Sequence, residues 1–184
     1  MFSNTSVGLY IVVGSYICIP LKNIYKRNIL FHIYIFMKYP KPKRYFPIHP
    51  EKYAGDVNGI ICRSNLERHF FKSFDRNENV IAWGSEEIHI PYFYPVDQSW
   101  HRYFPDNILK IKGQDGSIYK ILIEIKPRVF CSPPPKPKRI TKGYINTVND
   151  YIRNRSKWEA ADKWCKQNGF IFKILTEQDL KKSI

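Results

Sequence analysis

Apolar and polar residues recur along the chain with two different periods, one typical of helices and one typical of strands. Residues 64–76 place leucine and phenylalanine on one side of a helix, and residues 142–168 place aromatic and aliphatic residues at similar spacing. In chain order, the pattern predicts a helix at 64–76, strands at 79–93, 101–112 and 117–126, a helix at 142–168 and a last, buried strand at 170–175. This order predicts one α/β domain.

Local motifs mark the boundaries of these elements. The sequence "SNLE" at 64–67 is a capping box, in which the serine and the glutamate satisfy the first amides of the helix. The long helix should end near Gly169, because glycine favours the left-handed conformation that terminates a helix. The turn "GQDGS" should join the second and third strands as an antiparallel pair.

The chain before the first helix differs from the remainder. Residues 1–36 contain no acid, and their longest apolar run, "VGLYIVVGSYICIP", is 14 residues long, whereas about 20 are needed to span a bilayer. We interpret them as an apolar leader outside the core, with Met37 as the true start; a peripheral membrane anchor is the alternative. Residues 37–60 are rich in proline and lysine and predict an extended basic arm. Residues 61–184 remain for the functional domain.

Composition and charge narrow the choice of partner. The hydrophobic fraction of 43% is typical of a folded protein. The formal net charge is +14, of which residues 37–184 carry +11, so we expect a polyanionic partner, with nucleic acid favoured over an anionic membrane surface. The four cysteines and five histidines show no zinc-binding spacing, which argues against a zinc enzyme.

Two acids lie in strand-like runs where apolar residues would be expected. In "ILIEIKP", residues 121–127, alternation places Glu124 and Lys126 on one face, and the antiparallel pairing would bring Asp106 beside Glu124. Two adjacent carboxylates repel each other unless a cation neutralises them. Mg²⁺ suits them, because it prefers oxygen ligands and commonly uses one or two carboxylates. Lys126 would then lie next to a metal-bound water, where it could orient this water or stabilise a developing negative charge.

A solvated polar face would explain the same residues without any chemistry. The joint pattern favours a site: Pro-Asp is followed 18 positions later by Glu-x-Lys in an apolar strand of a basic protein. This pattern resembles the PD-(D/E)xK signature of nucleases. The resemblance implies a restriction-endonuclease-like core, in which a central mixed sheet is flanked by helices in the order helix, three strands, helix, strand.

Glu67 allows two interpretations. The capping box by itself accounts for it. Nucleases with the PD-(D/E)xK core, however, often carry a glutamate on the first helix that reaches the same metal, so the resemblance implies Glu67 as a third metal ligand beside Asp106 and Glu124.

A basic segment follows the proposed metal site. From Ile125 to Asn149 the chain has no acid, and five prolines stiffen it. A solvated face would explain such a run, but its position favours contact with a DNA backbone, independent of base sequence. The candidate DNA-binding residues are Arg63, Arg128, Lys136, Lys138, Arg139 and Lys142.

Longer stretches resemble one family. The segments "YAGDVNGIICRSNLERHF", "NVIAWGSEEIHIPYFYPVD", "HRYFPDNILKIK", "YKILIEIKP", "PKPKR" and "SKWEAADKWCKQNGFIFKILTEQDL" are together similar to the head completion nucleases of T-even-like tailed bacteriophages. The resemblance runs from about residue 39 to residue 180 and leaves out residues 1–36, which favours the start at Met37.

This resemblance implies a magnesium-dependent DNA nuclease that hydrolyses phosphodiester bonds late in head assembly, before the head joins the tail. It implies Glu67, Asp106, Glu124 and Lys126 as the catalytic set, with Mn²⁺ able to replace Mg²⁺. Double-stranded DNA and the phage head and neck proteins would be the partners, with no small-molecule cofactor and no membrane. The protein would act in the cytoplasm of the infected bacterium or with the virion.

Two other functions remain open at this stage. One is a head completion protein that binds DNA or the portal without catalysis, against which the intact pair of carboxylates argues. The other is a different nuclease with the same core, acting at transposon ends or DNA junctions.

Overall fold

The computed structural model describes residues 41–180 and two short strands nearer the N-terminus, β1 (Tyr10–Val12) and β2 (Cys18–Pro20), which pair in antiparallel fashion. Contacts within the chain divide it into two units, Met1–Tyr39 and Pro40–Ile184. Apart from β1 and β2, the expected leader at 1–36 and the first residues of the expected arm lie outside the described residues.

Besides three short 3-10 helices, the second unit contains eight strands and two α-helices between residues 41 and 180. These are β3 (Lys43–Arg44), β4 (Ile61–Cys62), α1 (Asn65–Arg76), β5 (Val80–Ser85), β6 (Ile90–Tyr94), β7 (Ser99–Tyr103), β8 (Asn107–Lys112), β9 (Ile118–Ile125), α2 (Lys142–Asn168) and β10 (Ile171–Leu175). Among the described residues, no helix is both long enough and apolar enough to cross a membrane.

A four-stranded mixed sheet forms the centre, in the order β10-β9-β8-β5. Strands β5, β8 and β9 are antiparallel neighbours, whereas β10 runs parallel to β9. The helices α1 and α2 cover its two faces, so the expected α/β class and restriction-endonuclease-like arrangement are confirmed.

The predicted helices and the predicted hairpin agree closely with the structure. Helix α1 is capped by Ser64 and helix α2 by Thr141, and α2 ends at Gly169 in the left-handed conformation, with φ of 71°. The turn "GQDGS" joins β8 to β9. Strand β10 was expected to be buried, but it lies at the edge of the sheet and its residues are half-buried or exposed.

Two of the predicted strands are each divided. The run 79–93 forms β5 in the central sheet and β6 in a separate two-stranded sheet, because the chain turns at Glu86, which has a positive φ of 57°. The run 101–112 forms β7, which pairs with β6, and β8, which pairs with β9. Pro105 lies between β7 and β8 and has no amide hydrogen to continue a ladder.

The second part of strand β9, residues 121–125, is buried on both of its faces. Ile121, Ile123 and Ile125 pack with Phe71 and other α1 side chains in one core cluster. On the opposite face, Leu122 packs in a second cluster with side chains of α2 and with the tyrosines of β6 and β7. Glu124 shares the Leu122 face and is therefore a buried acid, only 5% exposed.

The described part of the basic arm, residues 41–60, is folded against this core and differs from the extended segment that we expected. Tyr45 and Ile60 are buried core residues, and β3 pairs with β4. The fully buried carboxylate of Asp75, near the end of α1, accepts hydrogen bonds from the amides of Ile48 at 2.7 Å and His49 at 3.0 Å. These bonds fix the segment to α1.

Candidate active site

An open cavity of about 560 Å³ lies where β8 begins and β9 ends. Its wall combines acids, cations and aromatic rings. The lining residues are Glu86, Asp106 and Glu124, then Arg63, Arg102, Lys126 and Lys157, and finally Tyr103 and Phe104. Three of the four residues expected to be catalytic therefore meet in one cavity.

Asp106 and Glu124 come together because of the register between β8 and β9. Asn107 pairs with Ile123, so in the antiparallel register the next position places Asp106 opposite Glu124. Asp106 Oδ2 accepts a 2.6 Å hydrogen bond from the amide of Ile125, which holds its carboxylate at the strand end. The antiparallel pairing predicted from the sequence is present.

The surroundings of Asp106 favour its neutral form when no cation is bound. Burial raises the pKa of Asp106 well above its usual value, and the charges of Glu124 and then Glu67 raise it further. The amide of Ile125 and the charge of Lys126 act in the opposite direction but do not prevail. A positive charge placed between Asp106 and Glu124 would relieve this repulsion.

Glu124 is held by a buried tyrosine. The hydroxyl of Tyr103 donates a 2.6 Å hydrogen bond to Glu124 Oε2, and Tyr103 is only 2% exposed. Burial, followed by the charge of Glu124, raises the pKa of Tyr103, so Tyr103 remains a hydrogen-bond donor. Lys126 Nζ lies 3.7 Å from the other oxygen, Oε1. The two oxygens of Glu124 thus face different partners.

The donor set fits a divalent cation that retains water ligands. Among residues 41–180, no group of three or more His, Cys, Asp or Glu side chains is gathered for metal binding. Asp106 and Glu124 supply two carboxylates, and Mg²⁺ commonly binds through one or two carboxylates, with waters and substrate phosphate completing its shell. The pair of carboxylates is therefore compatible with Mg²⁺.

Glu67 lies in the first turn of α1, and its implied role as a metal ligand stays a prediction. Its amide donates to Ser64 Oγ at 3.1 Å, which caps the helix, and its Oε2 accepts from the amide of Arg63, the residue before the cap, at 2.8 Å. Glu67 is not part of the cavity wall. Its charge raises the pKa of Asp106.

Two of the six candidate DNA-binding residues contact acids or amides of the protein, and the other four form no ion pair with the described residues 41–180. The guanidinium of Arg63 binds Glu86 Oε1 at 2.6 Å and Oε2 at 2.8 Å. Arg128 donates through its amide to Glu177 at 3.0 Å and through its guanidinium to Gln178. The other four candidates are exposed and have no ion pair with any residue between 41 and 180; they are Lys136, Lys138, Arg139 and Lys142.

Lys157, Arg102 and Tyr103 line the cavity although the sequence analysis did not select them. Lys157 lies on α2, with Nζ 5.4 Å from the centre of the Tyr103 ring. Burial lowers the pKa of Lys157; Lys126 lowers it further, and Glu124 opposes the shift. The one sequence signal was the spacing of Arg153 and Lys157, four apart beside the apolar stripe of α2, which places both on one helix face.

Comparisons with known proteins agree with this geometry. The model of the family described as "TnsA-like endonuclease N terminal" matches residues 77–177, a range that contains Asp106, Glu124, Lys126 and Lys157 but excludes Glu67. The chain is also 39% identical over 142 residues to a protein of Enterobacteria phage T4 named "Head completion nuclease", covering 75% of this chain and 92% of that protein. The chain therefore belongs to the head completion nuclease family and contains a nuclease domain of the TnsA-like type.

Proposed function

We propose that this protein is a divalent-metal-dependent DNA nuclease that hydrolyses phosphodiester bonds at the cavity of Asp106 and Glu124. The observation that carries the proposal is the pair of carboxylates itself: the strand register places Asp106 opposite the buried Glu124, and the charge of Glu124 raises the pKa of Asp106. A protein that only bound DNA would be weakened by two acids facing the phosphates. The nuclease family of the chain supports the same conclusion.

Asp106 and Glu124 would hold the cation, and Mg²⁺ is the candidate that fits their chemistry, with Mn²⁺ as a substitute. When bound, the ion would supply positive charge that makes a water more nucleophilic and neutralises phosphate oxygens.

The remaining groups act on the substrate and on the carboxylates. Tyr103 keeps Glu124 in one orientation through its 2.6 Å hydrogen bond. Lys126 and Lys157 line the same cavity, where a lysine ammonium stabilises the charge that develops on the phosphoryl oxygens. Burial lowers the pKa of Lys157, and the charge of Glu124 opposes this shift. We assign Lys126 to orientation of the attacking water.

DNA would reach the cavity along the exposed cations that follow β9. Lys136, Lys138, Arg139 and Lys142 lie on one proline-stiffened segment that begins at the cavity edge. Each phosphate that such a cation neutralises releases counterions, a contribution that does not depend on base sequence. We call residues 135–142 the basic loop. Arg63 would join it by exchanging Glu86 for a phosphate.

The biological role that we propose is trimming or cleavage of DNA during completion of a phage head, before the tail is joined, with head or neck proteins as partners. Its support is the name of the phage T4 relative and the coverage of 92% of that relative. A nuclease acting at transposon ends or junctions is the alternative that the TnsA-like family match leaves open. Cleavage assays on linear, branched and transposon-end DNA would separate the two.

The test of catalysis compares Glu124→Gln with Glu159→Gln. Glutamine keeps the acceptor for Tyr103 but removes the charge, whereas Glu159 is an exposed acid of α2 that pairs with Arg155 outside the cavity. We expect Glu124→Gln to lose at least about 100-fold in cleavage of linear duplex DNA, because loss of a direct metal ligand should cost at least as much as loss of a residue that orients one, while DNA binding and circular dichroism persist. Glu159→Gln should remain fully active.

Metal dependence is tested in the same assay. Activity should require Mg²⁺ or Mn²⁺ and stop with a chelator, and Ca²⁺ should support DNA binding without turnover because its coordination is looser. Cleavage that survives chelation would refute the metal site, and cleavage by Glu124→Gln at the wild-type rate would refute the assignment of the cavity.

A further inference from the structure

The β6–β7 hairpin exposes aromatic rings on the face opposite to its buried tyrosines. Tyr92, Tyr94 and Tyr103 point inward and pack in the cluster beneath α2. The alternate residues point outward, and two of them, Phe93 and Trp100, are paired across the strands. Their rings lie 5.8 Å apart at 64°, and Trp100 is 72% exposed. Two large rings thus share one solvent-facing surface.

This surface continues into the candidate active site. Trp100, Arg102 and Phe104 follow each other at every second position, which places them along one side of an extended chain about 14 Å long. Arg102 and Phe104 also line the cavity that contains Asp106 and Glu124. We call Phe93, Trp100, Arg102 and Phe104 the aromatic strip. The strip leads from the tip of the hairpin to the carboxylates.

The rings and the guanidinium of the aromatic strip together indicate one class of ligand. Arg102 is exposed and forms no ion pair with any acid between residues 41 and 180, so its guanidinium is available to an anion. A ligand that offers an anion and flat rings at regular intervals is a nucleic acid strand. The bases must be unpaired, because paired bases in a duplex are stacked on each other and expose only their edges.

We propose that the aromatic strip binds unpaired nucleotides of the DNA strand that enters the cavity, so that DNA with a single-stranded or frayed end is bound more tightly than fully paired DNA. The exposed rings of Phe93, Trp100 and Phe104 stack on bases, and Arg102 contacts the phosphate between them. The basic loop holds the duplex part. The consequence for cleavage rests on the function proposed above, but nucleotide binding by the strip does not.

Binding is measured on the full-length protein with a chelator present, so that cleavage does not interfere. Trp100 is the reporter, since Trp83 and Trp158 are buried and Trp164 is half-buried. The probe is oligothymidylate, which does not pair with itself, compared with a blunt duplex of the same length. We expect oligothymidylate to quench the exposed tryptophan. Trp100→Ala should weaken its binding by about 5- to 150-fold, the loss typical of one base–aromatic stack.

Two further variants separate stacking from structural damage. Trp100→Phe retains a ring and should retain most of the affinity, measured by anisotropy of a labelled oligonucleotide. Phe46→Ala removes another exposed ring, 69% exposed and outside the hairpin, and should bind as wild type does. Equal affinity of Trp100→Ala and wild type for oligothymidylate would overturn the proposal and leave the strip as a surface for a protein.

Cleavage gives the second arm of the test. Wild type should cut duplexes with single-stranded overhangs faster than blunt duplexes, and Trp100→Ala should lose this preference. A preference that Trp100→Ala retains overturns the proposal even if the nuclease assignment holds. Stacking on Trp100 by a protein that cleaves no DNA would support the strip and refute the nuclease function, so the two hypotheses fail separately.

Discussion

Replacing Tyr103 by phenylalanine removes one hydroxyl group from the hydrogen bond that positions Glu124. The ring of Tyr103 packs in the cluster beneath α2, and phenylalanine keeps this packing. The change therefore isolates the 2.6 Å bond to Glu124 Oε2. Lys126 does not replace the lost donor, because its Nζ lies 3.7 Å from the other oxygen, Oε1. Glu124 remains buried with one oxygen unsatisfied.

The expected loss follows from burial and charge. A hydrogen bond to a charged group contributes about 1.5–3 kcal/mol, and the loss is largest when the remaining partner stays buried. Tyr103 and Glu124 are 2% and 5% exposed, so water cannot easily replace the hydroxyl. In a domain of this size, about 1 kcal/mol lowers Tm by roughly 2–4 °C. We therefore expect Tyr103→Phe to lower Tm by about 3–12 °C.

Urea and thermal unfolding of a double-mutant cycle with Glu124→Ala measure this interaction. In the Glu124→Ala background the Tyr103 hydroxyl has lost its carboxylate, so Tyr103→Phe should be neutral or stabilising there. The coupling should be at least about 1 kcal/mol. Cleavage by Tyr103→Phe should fall by about 10-fold or more, as is typical when a residue that orients a metal ligand is removed, while DNA binding persists.

The control is Tyr92→Phe, on the same inner face of the hairpin. Tyr92 is also buried, but its hydroxyl forms no hydrogen bond with any residue between 41 and 180, so its removal should change stability by less than about 0.5 kcal/mol. If Tyr103→Phe changes stability equally in wild type and in Glu124→Ala, the role of Tyr103 in positioning Glu124 is refuted. A change in stability no larger than that of Tyr92→Phe would refute it as well.

Three further changes test other features. Asp106→Asn keeps an acceptor for the amide of Ile125. Because the pKa of Asp106 is raised in the folded state, wild type without metal loses stability as pH rises from about 4. The Tm of the variant should therefore exceed that of wild type at pH 8 and equal it near pH 3. Asp75→Asn replaces one accepting carboxylate oxygen by an amide group that only donates. It should lower the free energy of unfolding by about 1.5–3 kcal/mol and speed proteolysis at residues 41–49, and an unchanged free energy of unfolding would contradict this. Replacing Lys136, Lys138 and Arg139 together by alanine should reduce the slope of log affinity for DNA against log salt concentration by about 3. An unchanged slope would show that these cations face only solvent.

Several features of this protein are determined by short stretches of sequence. Ser64 and Gly169 mark helix ends because capping depends on neighbouring residues and local dihedral preference. The turn at 113–117 sets the hairpin of β8 and β9, and that register by itself brings Asp106 opposite Glu124. The carboxylate pair could therefore be predicted, because only 18 positions and one turn separate its members.

Other features depend on contacts between distant segments. Lys157 reaches the cavity only because α2 packs across the β9 face that carries Leu122, and Tyr103 reaches Glu124 only because β7 leaves the central sheet. The acidic Asp75 anchors a segment 27 residues earlier. Periodicity shows which face of an element is apolar but does not show which partner covers it. Packing between distant segments determines that partner. Local sequence was therefore enough to predict the pair of Asp106 and Glu124, whereas the tertiary structure determines which other groups surround it.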